Sequence, residues 1–361
     1  MQAIALHPKR SQIAGQLVGL ALLAFAPLFL HMLCLPAALL LPLFACPLGA
    51  RKERWFGYAA VLMPALVAYG YGGDALFCLS LLLPGALALA VAAWQQARRT
   101  AARKSACFAY IAAYAVALSA IVFFAARAMG GDLSQGLSNE LVAAVQRSGN
   151  AGELLYRLAL AGWISVPSGY QSMGLFPFAL DMALRSQLLL SLRLTVRLTL
   201  ADYVPRLFVE TCLVCGLFTS LRVQKLNHAF LLVKKREGRR VEASDVQVAR
   251  PVGFRMLQLP PQGRALAVGA GIGAIALSLS DSSLAQMLGA LCAAGFECVF
   301  QLVGAAVLLC QLTARKPERE TLYGVIVAAI YLLLPVVPLL LGLLDQALHF
   351  RSKSLLHQEE E

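Results

Sequence analysis

Read for apolar and charged positions, the chain is a string of long apolar runs separated by short clusters of charge. Residues 11–50 contain no Asp, Glu, Lys or Arg. Charge-free runs return at 56–73, 75–97, 105–126 and 321–344, with less clean ones across 201–221, 265–280 and 282–314. A hydrocarbon core of ~30 Å needs about 20 apolar helical residues, so forty suffice for two crossings. A water-soluble domain must carry charge on its surface and cannot bury so many near-continuous apolar segments. The pattern therefore predicts an all-α fold, a polytopic transmembrane helical bundle of about eight to nine spans. The candidate spans are 12–32, 33–50, 55–72, 75–95, 105–126, 201–221, 265–281, 284–312 and 322–345. The first two are rich in proline (Pro27, Pro36, Pro42, Pro47), which predicts kinks or a partly interfacial course.

Two segments interrupt the alternation. Residues 127–200 hold an uncharged middle, Leu158–Leu180, long enough to span but broken by Ser165, Pro167, Ser168, Gly169, Ser172, Gly174 and Pro177. This predicts an external or re-entrant element flanked by interfacial helices. Trp163, Tyr170, Phe176 and Phe178 would lie at headgroup depth as an aromatic belt or as a lid. Residues 222–264 carry ten Lys and Arg against three acids, Glu237, Glu242 and Asp245, and predict a basic cytoplasmic loop lying on anionic lipid head groups. The whole chain, 1–361, reads as one integral membrane domain that contains both segments.

Composition and charge agree with the pattern. The chain is 59% hydrophobic with a mean hydropathy of +0.71. Its net charge of +12 sits in short runs between apolar segments, as in Arg51-Lys52-Glu53-Arg54, which is the arrangement of cytoplasmic loops and not of a nucleic-acid face. With a cytoplasmic N-terminus, 22 of the 31 Lys and Arg fall inside and eight outside, while Arg206 lies within a span. This predicts a multi-pass protein whose first span is an uncleaved anchor. On an odd span count the tail with Arg351 and Lys353 would be external. All nine cysteines lie in or beside apolar segments. Cys212-Leu-Val-Cys215 has no second pair and no nearby His, so small buried hydrophobes are expected.

Candidate chemistry is sparse. Glu297 stands near the centre of 284–312, where a charge costs ~2.5–3.5 kcal/mol on insertion scales and must face protein or water. Gln301 is one turn on, along the same face. The pair would bind a polar solute, relay a proton or tie two helices together. Asp202, Arg206 and Glu210 fall on one stripe at i, i+4, i+8, and Pro205 beside Arg206 loosens the helix there. An Arg between two carboxylates is a self-neutralising ladder at a membrane boundary; the mouth of a cavity is the other reading. Gly15 with Gly19, and Gly269 with Gly273, are small-xxx-small pairs for close helix approach. Val268-Gly-Ala-Gly-Ile-Gly-Ala274 lacks the strand of a dinucleotide loop. No hydrolase, phosphate-binding or metal motif occurs, so no catalysis, cofactor or metal is expected.

The C-terminal half carries, in order, Tyr203-Val-Pro205 opening a span and a basic helix ending in Lys234-Lys235-Arg236-Glu-Gly238. Phe254-Arg-Met-Leu-Gln-Leu-Pro260 then precedes a span, and Leu341-Gly342-Leu-Leu-Asp345-Gln-Ala-Leu-His-Phe350-Arg351 ends the run. These resemble the YybS-like membrane proteins of bacteria (domain of unknown function 2232), although the family's Trp before the Leu-Pro step is absent. That family's spans are similar in pattern to the substrate-binding subunits of energy-coupling-factor transporters. The resemblance implies a bacterial inner-membrane protein that binds or helps transport a small solute, with coupling and ATPase subunits as partners. A membrane scaffold acting through 222–264 is the alternative.

Overall fold

The computed structural model describes residues 10–48, 54–97, 103–166, 182–236, 253–280, 282–315 and 319–348, and all the regular structure among them is helical. The helices are α1 (Arg10–Phe29), α2 (Cys34–Leu40), α3 (Pro42–Ala45), α4 (Arg54–Gly70), α5 (Ala75–Ser80), α6 (Leu83–Ala97) and α7 (Arg103–Ala128). They continue with α8 (Leu133–Arg147), α9 (Ala151–Leu160), α10 (Met182–Arg236), α11 (Pro261–Ser278), α12 (Ser283–Arg315), α13 (Glu320–Leu333) and α14 (Val336–Leu348). Four stretches are long and apolar enough to cross a membrane: Ala75–Gln95, Ala106–Ala128, Leu184–Lys225 and Leu284–Ala314. A fifth is added if α13 and α14, bent by 106° at Leu334–Pro335, count as one. Gly15–Phe29, Cys34–Ala45 and Trp55–Gly70 are apolar but shorter. Length and composition thus give four or five spans where eight to nine were expected. The shortfall lies in the shorter helices Gly15–Phe29, Cys34–Ala45 and Trp55–Gly70 and in the bend that separates α13 from α14 at Leu334–Pro335.

The chain divides into two compact units, Met1–Leu118 with Arg206–Glu361, and Ser119–Pro205. Both boundaries fall inside helices, one in α7 and one in α10. α10 has 55 residues, more than twice what a crossing needs. It takes in residues expected on either side of the 201–221 span: 182–200, read as external, and 222–236, read as loop. Of the remaining expectations, most of the 158–180 element with Tyr170, Phe176 and Phe178, the loop centre 237–252, and Arg351 and Lys353 lie outside the described residues.

In the larger unit, helices meet through small residues. A Cβ on Gly304 of α12 would fall on the carbonyl of Pro338, and one on Gly342 of α14 on the carbonyl of Phe300, so these two helices cross backbone to backbone. Gly216 of α10 lies equally close to Ile111 of α7, with a virtual Cβ 2.8 Å from the Ile111 Cα. Gly271 of α11 faces Phe296 of α12. Of the glycines singled out in sequence, Gly19 packs on Phe44, while Gly15, Gly269 and Gly273 meet nothing within 4 Å. The Tyr114 hydroxyl, fully buried, donates to the Leu39 carbonyl at 3.1 Å and pairs with Thr219 Oγ1 at 3.2 Å, tying three segments together. Cys212 and Cys215 pack beside it as buried apolar groups.

The smaller unit is built differently. α8 and α9 pack on the first turns of α10 around Val145, Leu155, Ile164, Leu184, Leu188 and Leu192. Asp132 caps α8, accepting from the Ser134 and Gln135 N–H groups at 2.9 and 3.2 Å. The Ser134 hydroxyl, the Gln135 N–H and nearby Arg197 hold its carboxyl below the usual range.

Candidate functional site

Three charged side chains meet where α10 passes α12. Pro205 has no N–H for the helix ladder, and the residue after it, Arg206, turns its guanidinium to two carboxylates. Its Nε donates to Glu210 Oε1 at 2.9 Å, one turn along α10. A terminal nitrogen lies 3.3 Å from Glu297 Oε2 on α12. Gly295 stands near the crossing, with Val209 at an ordinary contact distance of 4.0 Å from where a Cβ would be. The two groups that sequence spacing kept apart are therefore one network. The position of the Asp202 side chain lies outside what is described.

The network is neither sealed nor fully open. Arg206, Glu210 and Glu297 side chains are 36%, 24% and 37% exposed. Gln301, one turn beyond Glu297, is 2% exposed and so belongs to the helix-packing interior. A third helix closes one flank. Tyr331 of α13 puts its hydroxyl 3.8 Å from Cys298 Sγ, and Arg206 and Glu210 are near enough to act electrostatically on both. Sequence reasoning missed Tyr331 and Cys298. The signal for Tyr331 was available in its setting, a hydroxyl-bearing ring four residues before Pro335 in an otherwise hydrocarbon run.

Among the described residues the network holds two carboxylates against one guanidinium. It leaves negative charge beside a phenol, at a place where α13 ends and the chain is not helical. That arrangement suits a proton, a cationic group or a polar solute with donors to spare. Among the described residues, no three His, Cys, Asp or Glu gather so as to hold a metal ion. No family model, no curated protein and no solved structure matches the chain.

Proposed function

We propose that the chain is a bacterial inner-membrane protein, multi-pass with a cytoplasmic N-terminus, that binds or helps move a small solute and performs no catalysis. The observation that carries this reading is Arg206 held between Glu210 on its own helix and Glu297 on another. A bare structural tie needs one carboxylate per Arg; the second leaves charge for a ligand. Membership of the YybS-like family, and action in the manner of an energy-coupling-factor substrate-binding component, belong to the same proposal. So does the count of eight to nine spans, with the shorter helices α1, α2–α3, α4 and α11 supplementing the long ones. To test the function, the purified protein is screened by mass spectrometry for a co-purifying small molecule and compared with Glu297→Ala. Ligand in the native protein and its loss in the variant support the reading. No ligand in either, with Glu297→Ala merely less stable, makes the network a helix tie.

A second reading rests on a separate observation, the ten basic residues in 222–264, more than orientation in the bilayer requires. It makes the protein a scaffold that recruits a cytoplasmic partner. Crosslinking in intact cells separates the two. Capture of ATPase and transmembrane coupling subunits supports the transporter component, and capture of unrelated cytosolic machinery through this segment supports the scaffold.

A further inference from the structure

We infer that α13 and α14 form a re-entrant hairpin. It would enter the bilayer beside α12, turn at mid-depth against the Arg206 network, and leave on the face it entered, the face from which α11 starts. The inference rests on the membrane reading but not on solute binding.

Four observations lead there. First, neither arm is long enough alone: 14 and 13 residues reach about 21 and 20 Å at 1.5 Å per residue, short of a ~30 Å core. The two arms are bent by 106°, so their lengths do not add along one axis. Second, the course of α13 is fixed by its contacts with α12. Tyr323, Val327 and Tyr331 share one apolar cluster with Ala305, Leu308, Leu309 and Leu312, and Tyr331 also reaches Cys298. Glu320 follows closely on Arg315 at the end of α12. Later residues of α13 thus meet earlier residues of α12, and the arm stops level with Cys298, the sixteenth residue of 33. Phe296, two residues before, packs on Gly271, near the middle of α11. The turn at Leu334–Pro335 therefore stands halfway along both neighbours.

Third, α14 ends back where α11 begins. An Arg264 terminal nitrogen, in the first turns of α11, donates to the Gln346 carbonyl at 3.3 Å, near the last turn of α14. Asp345 and Gln346 are buried there. An arm that crossed to the opposite face would end a full helix length from Arg264, far beyond the reach of one side chain. Fourth, the charges agree. A hairpin assigns Arg351 and Lys353 to the face of the basic 222–264 segment, moving two of the eight external basic residues inside. The hairpin assigns the C-terminus to the cytoplasmic face, where an odd span count had put it outside.

The chemistry at the turn fits a mid-depth position. Pro335 has no N–H to give the Tyr331 carbonyl, and such open backbone is tolerated within a membrane only against protein or water. Leu332 and Leu333, 77% and 78% exposed, turn hydrocarbon outward at the same place.

The test is sidedness, read on the full chain with the native nine cysteines replaced. Single substitutions Gly238→Cys, Ser282→Cys and Leu355→Cys are labelled with a membrane-impermeant thiol reagent before and after permeabilisation. The hairpin predicts that 238 and 355 behave alike and 282 oppositely. Joint labelling of 355 with 282 overturns it. Should a cysteine variant fail to insert, a fluorescent protein fused after Glu361 of the native sequence gives the same answer, because it matures only on the cytoplasmic side. Fluorescence with 238 inside supports the hairpin, and a dark, translocated fusion with 238 inside overturns it. Neither readout depends on a solute, so failure of the functional proposal leaves this result standing.

Discussion

In the 119–205 unit, Leu155, Leu184, Leu188 and Leu192 point inward and ion pairs such as Arg157–Glu153 lie on the outside. In the other unit, Leu279 is 81% exposed, Leu332 and Leu333 nearly as much, and the buried positions include Ala88, Ala92, Ala117, Ala305 and Ala306. The smaller unit gathers its leucines into one cluster, although Leu160, Leu190 and Leu198 stay exposed. Lipid explains the arrangement of the other unit. Hydrocarbon outside removes the drive to bury leucine, and helices then gain most by approaching closely through small side chains. The difference teaches where each unit is fragile: one to the removal of atoms, the other to their addition.

The largest effect should come from adding a single methyl. Gly304→Ala places a Cβ on the Pro338 carbonyl, and neither backbone can give way without separating α12 from α14. Size-exclusion chromatography in detergent should show loss of most monodisperse protein, while Gly269→Ala, at an open position, leaves the profile unchanged. Equal tolerance of the two substitutions would remove the contrast between the units.

Next is the converse change in the leucine core. Leu188→Ala should cost about 2–5 kcal/mol. It should make residues 119–205 the preferred site of limited proteolysis, with the rest of the chain still protected. Uniform cleavage would mean that the smaller unit has no stability of its own to lose.

A smaller, graded effect is expected at the charge network. Arg206→Ala strands two carboxylates, each costing about 2.5–3.5 kcal/mol if left charged at mid-depth, whereas Glu297→Gln leaves the Arg206–Glu210 pair intact. Thermal denaturation at neutral pH should rank native above Glu297→Gln above Arg206→Ala. The reverse order would show that Glu297 is the costly member.

The smallest effect is a pH dependence confined to the smaller unit. Because the Asp132 carboxyl is held below its ordinary value, its contribution is present above the unfolded-state pKa of about 4 and is lost as pH falls through the lower folded value. Protease resistance of 119–205 should weaken in that acid range, and Asp132→Asn should flatten the change.

Much of this was legible as pattern. Charge-free length marked 75–95, 105–126 and 284–312 correctly as long apolar helices, because one helix period and one solvent decide them. The charged stripe at Arg206 and Glu210 was legible as i, i+4 spacing. Its partner was not, since Glu297 lies 91 positions on and only helix packing brings the two together. The glycine pairs misled for the same reason. Gly269 and Gly273 have the spacing of a contact and face nothing, while Gly304 and Gly342 make the contact without a shared motif. The extension of α10 over 182–236 was hidden by Arg185, Arg193 and Arg197, which end an apolar run but not a helix.

The Tyr114 hydroxyl has a consequence in time. Its first partner, the Leu39 carbonyl, is made 75 residues before it, and its second, Thr219, 105 residues after. At about 5–20 residues per second, Thr219 leaves the ribosome roughly 5–20 s after Tyr114. During that interval the Leu39 carbonyl of the N-terminal helices is the one of the two Tyr114 partners already synthesised. α10 then meets a partly assembled acceptor, and its Thr219 hydroxyl completes a bond that the nascent chain had held open for it.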